Sequence, residues 1–108
     1  MSPELSKDAV LLKLASPWEC TLISVYEYCY AAGYAACRMK LSAAEVEDLR
    51  GIRDLSLFKK KMAEYVNASS VWTQTEHGER LRKMLLSCRI QGEIGKIAAG
   101  LFEEGLKM

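Results

Sequence analysis

The sequence predicts an all-α fold, a compact bundle of four to five helices with two long central helices, in a single domain covering residues 1–108. Helix-start signals recur along the chain, and apolar residues repeat at helical spacing in its last third. No stretch alternates apolar and polar residues over the length of a strand. A chain of 108 residues can bury one core but is too short for two independent ones.

A short first helix is predicted ahead of the bundle's long helices. Ser6 can cap it, and Pro17 prevents it from continuing. Its apolar face is formed by Val10, Leu11 and Leu14. We expect it to pack across the other helices.

A long second helix is predicted over residues 17–40. Ser16 occupies the N-cap position, a proline follows at the first helical position, and Glu19 completes a capping box. Within residues 20–37 the only charged residue is Glu27, so this helix is apolar on every side. Such a helix must be covered by other helices, by a partner chain or by lipid.

Two shorter helices are predicted next, at about residues 43–52 and 55–67. Ser42 and Glu45 form a second capping box, which leaves only a residue or two between the second and third helices. Asp54 can cap the helix that follows. The apolar face of that helix is formed by Phe58, Met62, Tyr65 and Val66.

The last predicted helix begins after a cap at Thr73 or Thr75 and continues to about Leu106. One seam advances by alternating steps of four and three residues, as in a coiled coil, through Leu81, Leu85, Cys88, Gly92, Gly95, Ala99, Phe102 and Leu106. A second apolar row beside this seam means that the helix contacts more than one neighbour.

Small residues on the two long helices predict a close crossing between them. Glycines inside the last helix would each cost roughly 1 kcal/mol relative to alanine, which a close contact would offset. They are Gly92, Gly95 and Gly100, and the second helix offers a matching strip, Cys29, Gly33, Ala36 and Cys37. The crossing can lie within one chain or between two copies. The alternative is that the glycines only bend the last helix.

An aromatic stripe lies beside that strip. Tyr26, Tyr30 and Tyr34 recur every four residues, whereas Tyr28 points away from them. Tyrosine suits a boundary between apolar and wet surface, because its ring packs while its hydroxyl finds water or an acceptor. The stripe therefore predicts either the edge of the core, which is the commoner use of such a pattern, or a binding face.

Composition and charge limit the classes of function. The chain is 50% hydrophobic and 27% charged, which is typical of an ordered globular protein. Fifteen basic against fourteen acidic residues leave a formal charge of +1, too little to attract nucleic acid or an anionic membrane from a distance. Residues 20–37 have about the length of a membrane span, but Glu27 and several tyrosines dilute them, so no membrane segment is expected.

The cysteines indicate a reducing compartment. Cys20, Cys29 and Cys37 lie on one predicted helix, too far apart to form a disulfide with one another, so only Cys88 could pair with one of them. No pair of cysteines or histidines has the spacing typical of zinc ligands. We therefore expect buried, reduced cysteines and, since the N-terminus lacks the pattern of a signal peptide, a cytoplasmic protein.

No pattern of catalytic, cofactor-binding or metal-binding residues is present, so we expect neither enzyme activity nor a cofactor. His77 is the only histidine and is expected to be a solvated surface residue. Two basic groups could contact nucleic acid: Lys59, Lys60 and Lys61, and Arg80, Arg82, Lys83 and Arg89. Acidic residues four positions before Arg80 and Lys83 make balanced surface charge the simpler explanation.

The function favoured by these features is binding to another protein. The apolar content exceeds what a small helical domain is expected to hide, which predicts an exposed apolar interface. We expect a non-enzymatic regulator, antiactivator-like inhibitor or adaptor subunit that forms a homodimer. Its partner or dimer interface is predicted at Tyr26, Tyr30, Gly33, Tyr34, Cys88, Gly92, Gly95, Ala99 and Phe102.

Two alternatives to this function remain open. One is a small helical subunit of a ribonucleoprotein or repressor complex that uses the two basic groups. The other is an enzyme or small-ligand binder with a pocket between the two long helices, lined by tyrosines.

Overall fold

The computed structural model describes residues 24–74, 76–87 and 89–107 of the chain. Within them lie the helices α1 (Val25–Arg38), α2 (Ala43–Arg50), α3 (Leu55–Ala68), α4 (Glu76–Ser87) and α5 (Lys96–Leu106), and a short 3₁₀ helix, Val71–Gln74. These residues contain no β-strand, and the predicted all-α class is confirmed. The first predicted helix, Ser16, Cys20, Thr75 and Cys88 lie outside the described residues.

α1 begins at a capping box that differs from the predicted one. The Ser24 hydroxyl accepts a hydrogen bond from the Glu27 N–H at 3.1 Å, and the Glu27 carboxylate accepts one from the Ser24 N–H at 3.2 Å. Because Ser24 has an extended backbone, with ψ 158°, the prediction of one continuous helix over residues 17–40 is wrong. Ser16 and Ser24 are both followed by a glutamate three residues later, and Ser24 caps the described helix.

α1 ends in a Schellman motif. Lys40 adopts the left-handed conformation, with φ 54°. Its N–H donates to the Cys37 carbonyl at 3.1 Å, and the Leu41 N–H donates to the Ala36 carbonyl at 3.2 Å. The two bonds satisfy carbonyl groups that would otherwise lack partners at the end of the helix. The side chain of Lys40 makes the left-handed conformation costly, since glycine adopts it most easily.

The predicted caps of α2 and α3 are confirmed. The Ser42 N–H donates to the Glu45 carboxylate at 2.9 Å, and the Glu45 N–H donates to the Ser42 hydroxyl at 3.2 Å. The Asp54 carboxylate accepts a hydrogen bond of 2.8 Å from the Ser56 N–H at the start of α3. Sequence signals at helix starts therefore placed these two helices to within a few residues.

The predicted last helix, over about residues 75–106, is wrong. The chain leaves the helical path between α4 and α5, where Gly92 has a φ of 116° that an α-helix does not permit. Gly95 has an extended backbone and is the N-cap of α5. Glycine has low helix propensity, and Gly92 and Gly95 lie between α4 and α5, which the apolar periodicity predicted to be one helix.

Residues 53–55 and 92–94, which we call the paired segments, lie antiparallel to each other. Their backbone hydrogen bonds are Leu55 N–H to Gly92 O, at 3.0 Å, and Ile94 N–H to Arg53 O, at 2.9 Å. An isolated bridge between Asp54 and Glu93 lies between these bonds. The paired segments therefore hold the starts of α3 and α5 beside each other.

α1 and α5 make the most extensive helix contact in the described structure, and they cross at Gly33 and Gly105. A Cβ atom added to Gly33 would lie 3.0 Å from the Phe102 carbonyl carbon, and one added to Gly105 would lie 2.6 Å from the Tyr34 nitrogen. Neither position has room for a side chain, so the backbones are in contact. The predicted close crossing exists within one chain, with Gly105 in place of the three glycines expected.

The core is built around α1. Phe58 lies edge-on to Tyr28 and Phe102, with ring centroids 6.3 and 5.6 Å away. The buried residues of α1 are Tyr28, Cys29, Tyr30, Ala31, Ala32, Gly33, Ala35 and Ala36. Helices of the same chain therefore cover the apolar surface predicted for this segment. None of the described helices has the length and apolar character that a membrane crossing requires.

Candidate binding cleft

A cleft of about 280 Å³ opens between α1, α2, α3 and α5. Its volume is roughly twice the ~150 Å³ of an engineered protein cavity that accepts benzene. The lining residues are Cys29, Leu49, Arg50, Ile52, Arg53, Phe58, Ile94, Ala99, Gly100, Phe102 and Glu103. The cleft can therefore take one large apolar side chain or a small ligand of similar size.

The floor of the cleft is apolar and closely packed. Leu49 and Cys29 are fully buried, and Phe58 and Phe102 are only 2% and 4% exposed. The two phenylalanine rings meet at an interplanar angle of 86°, an edge-to-face arrangement that restrains their orientation. Packing within the core therefore gives the floor its shape.

Cys29 contributes a thiol to this floor. Burial raises the pKa of the Cys29 thiol from its ordinary value of 9.0 to about 12. Because the thiolate is the nucleophilic form of cysteine, the protonated thiol is unreactive near neutral pH. Cys29 therefore acts as an apolar part of the cleft.

An ion pair joins α2 to α5 at the mouth of the cleft. Arg50 donates from Nε and Nη2 to the two carboxylate oxygens of Glu103, at 2.6 and 2.8 Å. These hydrogen bonds lower the pKa of Glu103 and raise the pKa of Arg50. The side chains are 43% and 40% exposed, so this bidentate pair lies at the surface.

Arg53 is the second arginine that lines the cleft. It is exposed, and its carbonyl is held by the Ile94 N–H in the paired segments. No described acidic side chain forms an ion pair with Arg53, whereas Arg50 is paired with Glu103. Glu47 also pairs with Arg50, at 3.6 Å, so Arg53 is the arginine of the lining that no described carboxylate pairs with.

Two exposed hydrophobic residues lie in the first turns of α3 and α5, the helices that follow the paired segments. Leu57 is 53% exposed and Ile97 is 52% exposed, which makes them the exposed large hydrophobic residues of the described structure. Leu57 follows the segment 53–55 by two residues, and Ile97 follows the segment 92–94 by three. The expectation of a broad exposed apolar face is not met in the described residues, but both side chains are only a few positions from Arg53 and Ile94, which line the cleft.

The tyrosines of the predicted interface serve the core. Tyr30 is 8% exposed, and Tyr26 and Tyr34 are partly buried against the core cluster. Gly33 is buried at the crossing with α5, so neither it nor Tyr30 is available to a partner. Tyr28, which the stripe left out, is fully buried, and none of the tyrosines lines the cleft as one alternative expected.

The rest of the predicted interface is divided by the break between α4 and α5. Gly92 and Gly95 are exposed and lie outside the helices, and Cys88 lies outside the described residues. Ala99 and Phe102 line the cleft, but Phe102 is buried in its floor. The predicted seam forms no continuous surface, because its spacing is meaningful only along an unbroken helix.

Three of the seven predicted basic residues form ion pairs. Lys61 pairs with Asp48 and Glu64 at 3.5 and 3.7 Å, Arg80 with Glu76 at 2.8 Å, and Arg82 with Glu79 at 3.8 Å. The charge of Asp48 in particular raises the pKa of Lys61. The carboxylates offset cations that a nucleic-acid interface would use, and no observation favours that alternative.

Sequence reasoning missed the cleft because its residues come from distant parts of the chain. Arg50 and Glu103 are 53 positions apart, and no periodic pattern connects them. The signal that could have revealed it is the pair Gly92 and Gly95, if these glycines are interpreted as a break in the last helix that returns the chain toward α3. In the described part of the chain, no group of three or more His, Cys, Asp or Glu side chains is placed to hold a metal ion.

Comparisons with known proteins bear on the family of this chain. Comparison with curated proteins and with solved structures finds no significant match. Residues 1–108 match the family described as "Domain of unknown function (DUF3837)". The protein that carries this cleft therefore belongs to the DUF3837 family.

Proposed function

We propose that this protein acts by binding another protein through the cleft and the exposed side chains beside it. The proposal is carried by an apolar cleft whose lining includes Arg53 and Ile94, a few positions in the chain from the exposed Leu57 and Ile97. In protein interfaces, an anchor side chain in a packed pocket contributes much of the binding free energy, while surrounding contacts exclude water. The cleft and its flanks offer both parts of such an interface.

The role is that of a regulator, inhibitor or adaptor that performs no chemistry of its own. Cys29, the thiol in the cleft, does not act as a nucleophile in this proposal, because burial raises its pKa and keeps it protonated. The free thiols of Cys29 and Cys37 also support the proposal that the protein works in the cytoplasm.

The partner in this proposal is a different protein and not a second copy. The small-residue crossing that suggested a homodimer is formed between α1 and α5 of one chain. A dimer is not needed to bury Gly33, Gly105 or the tyrosines of α1. Self-association is therefore an outcome that the test must be able to detect.

The test compares proteins cross-linked to the full chain in its native host. The informative variant carries Leu57→Ser and Ile97→Ser, which remove exposed apolar side chains without opening the core. A matched control carries Lys83→Ser and Glu104→Ser, at two exposed positions that do not line the cleft. A protein captured by the wild type is then purified, and its direct binding to each variant is measured.

We expect a partner that binds the wild type and the control equally and the Leu57 and Ile97 variant at least ten times more weakly, a difference of about 1.4 kcal/mol or more. If no captured protein binds directly, or if binding is the same for all variants, the proposal is wrong. A dimer of this chain that the variant dissociates would also overturn it, because the partner would then be a second copy.

A further inference from the structure

We infer, on the basis of the proposed function, that the cleft takes an apolar side chain of the partner next to an acidic one, and that Arg53 receives the carboxylate. The volume and floor of the cleft indicate the apolar group, and the unpaired guanidinium of Arg53 indicates the acidic group.

The apolar group is required by the floor. Leu49, Phe58 and Phe102 surround a space of about 280 Å³ and are held by packing within the core. A polar group placed against these side chains would lose hydrogen bonds to water without gaining partners. A phenylalanine or leucine side chain fills such a space and displaces water from apolar surface.

The carboxylate is indicated by Arg53, the arginine of the lining that makes no ion pair in the described structure. The guanidinium of Arg50 already makes two hydrogen bonds to Glu103. The neighbouring acid Asp54 accepts hydrogen bonds from the first turn of α3, and Glu93 is exposed without an ion pair to Arg53. Arg53 has a long side chain on a backbone fixed at the cleft, so its guanidinium can reach an incoming carboxylate.

The experiment measures the affinity of the full chain for three labelled peptides by fluorescence polarisation at low salt. The peptides are acetylated and amidated, have seven residues, and share a central phenylalanine. Only the two residues beside it differ: they are aspartate, asparagine or lysine. Blocking both termini leaves the flanking side chains as the source of any carboxylate.

Three variants assign the result to the cleft. Arg53→Gln removes the proposed carboxylate partner, and Lys83→Gln removes an exposed cation that does not line the cleft. Gly100→Leu fills the cleft, because Gly100 lines it and an added Cβ there meets no atom within 4 Å.

We expect the aspartate peptide to bind about tenfold more tightly than the asparagine peptide, and the lysine peptide to bind most weakly. Arg53→Gln should remove most of this difference, Lys83→Gln should preserve it, and Gly100→Leu should abolish binding of every peptide.

Equal affinity for the aspartate and asparagine peptides, or a preference that survives Arg53→Gln, would overturn the inference. If the charge preference is absent but Gly100→Leu still abolishes peptide binding, the peptides bind in the cleft, and the proposed function keeps its support. Failure of all three peptides to bind would also overturn the inference. The proposed function would then be tested separately, by the binding of the captured partner to the Leu57 and Ile97 variant.

Discussion

The phenol of Tyr28 on α1 donates a hydrogen bond of 3.1 Å to the carbonyl oxygen of Leu85 on α4. The two residues are 57 positions apart in the chain, and both are fully buried. Water cannot readily replace a partner at such a depth, so the bond satisfies a polar group that packing alone would leave unpaired. It also fixes the position of α4 against α1.

Tyr28→Phe is expected to lower the free energy of unfolding by about 1–3 kcal/mol, because it leaves the buried Leu85 carbonyl without this donor. Tyr26→Phe is the control, since Tyr26 is partly exposed and its change should stay within about 0.5 kcal/mol. Equilibrium unfolding in urea measures both. Equal effects of the two substitutions would contradict the importance of the buried bond.

Gly105→Ala is expected to destabilise the protein by about 1–3 kcal/mol or more, because the added Cβ would overlap the backbone of α1. Gly100→Ala on the same helix has open space around it and should stabilise by about 0.5–1 kcal/mol through helix propensity. Urea unfolding of both variants tests the crossing. A stabilising effect at both positions would show that the helices are further apart than described.

Lys40→Gly is expected to raise the free energy of unfolding by about 0.5–1 kcal/mol, because glycine adopts a φ of 54° without the steric cost of a side chain. Lys40→Ala retains a Cβ atom and should bring no such gain. Thermal and urea unfolding distinguish the two variants. A similar gain from alanine would point to the lysine charge and not to the backbone.

The Arg50–Glu103 pair is expected to contribute about 0.5–1 kcal/mol of coupling, since both side chains are roughly two-fifths exposed. Because the folded pKa of Glu103 is lowered by its hydrogen bonds with Arg50, the contribution is complete above the unfolded pKa, near 4.5. It is lost as the pH falls through the lower folded pKa.

A double-mutant cycle with Arg50→Gln and Glu103→Gln, measured at pH 7 and at pH 2, tests this coupling. The Glu79–Arg82 pair, at 3.8 Å, supplies the comparison and should couple more weakly. Coupling that is unchanged at pH 2 would show that the carboxylate charge of Glu103 is not its source.

Cys29 is expected to make the protein sensitive to alkali. Its pKa is about 12 in the folded state against 9.0 ordinarily, so the unfolded thiol ionises first and stability falls as the pH rises above 9.0. Relative to Cys29→Ala, the wild type should lose roughly 1.4 kcal/mol between pH 7 and pH 10. Urea midpoints under reducing conditions measure this loss, with Cys37→Ala as the control for removing a thiol elsewhere on α1. Parallel pH profiles for wild type and Cys29→Ala would refute the prediction.

Local capping signals placed α2 and α3 well but not the start of α1, and non-local contacts explain why the predicted last helix is two helices. Ser42 and Asp54 cap α2 and α3 as expected, because a cap is encoded within four residues. The break before α5 depends on hydrogen bonds between residues 53–55 and 92–94, which no local pattern reveals. Apolar spacing was preserved across this break, so periodicity alone predicted one helix.

The candidate site could be predicted only in part. Ala99 and Phe102 were placed in a binding region, and both line the cleft. The arginines were missed, because Arg50 and Arg53 gain their role only when the paired segments bring α5 beside them. Gly33 was expected to lie at a helix crossing, and it does. Gly105 was missed, because it lies outside the row of small residues that predicted the crossing.

The contact between Gly33 and Gly105 also constrains how this family can diverge. A homologue that keeps the same separation between α1 and α5 must retain glycine at both aligned positions, because backbone atoms occupy the space of any side chain. Paired replacement by larger residues would identify a branch in which the two helices have moved apart. Aligned family sequences can therefore show which relatives share this architecture before their structures are known.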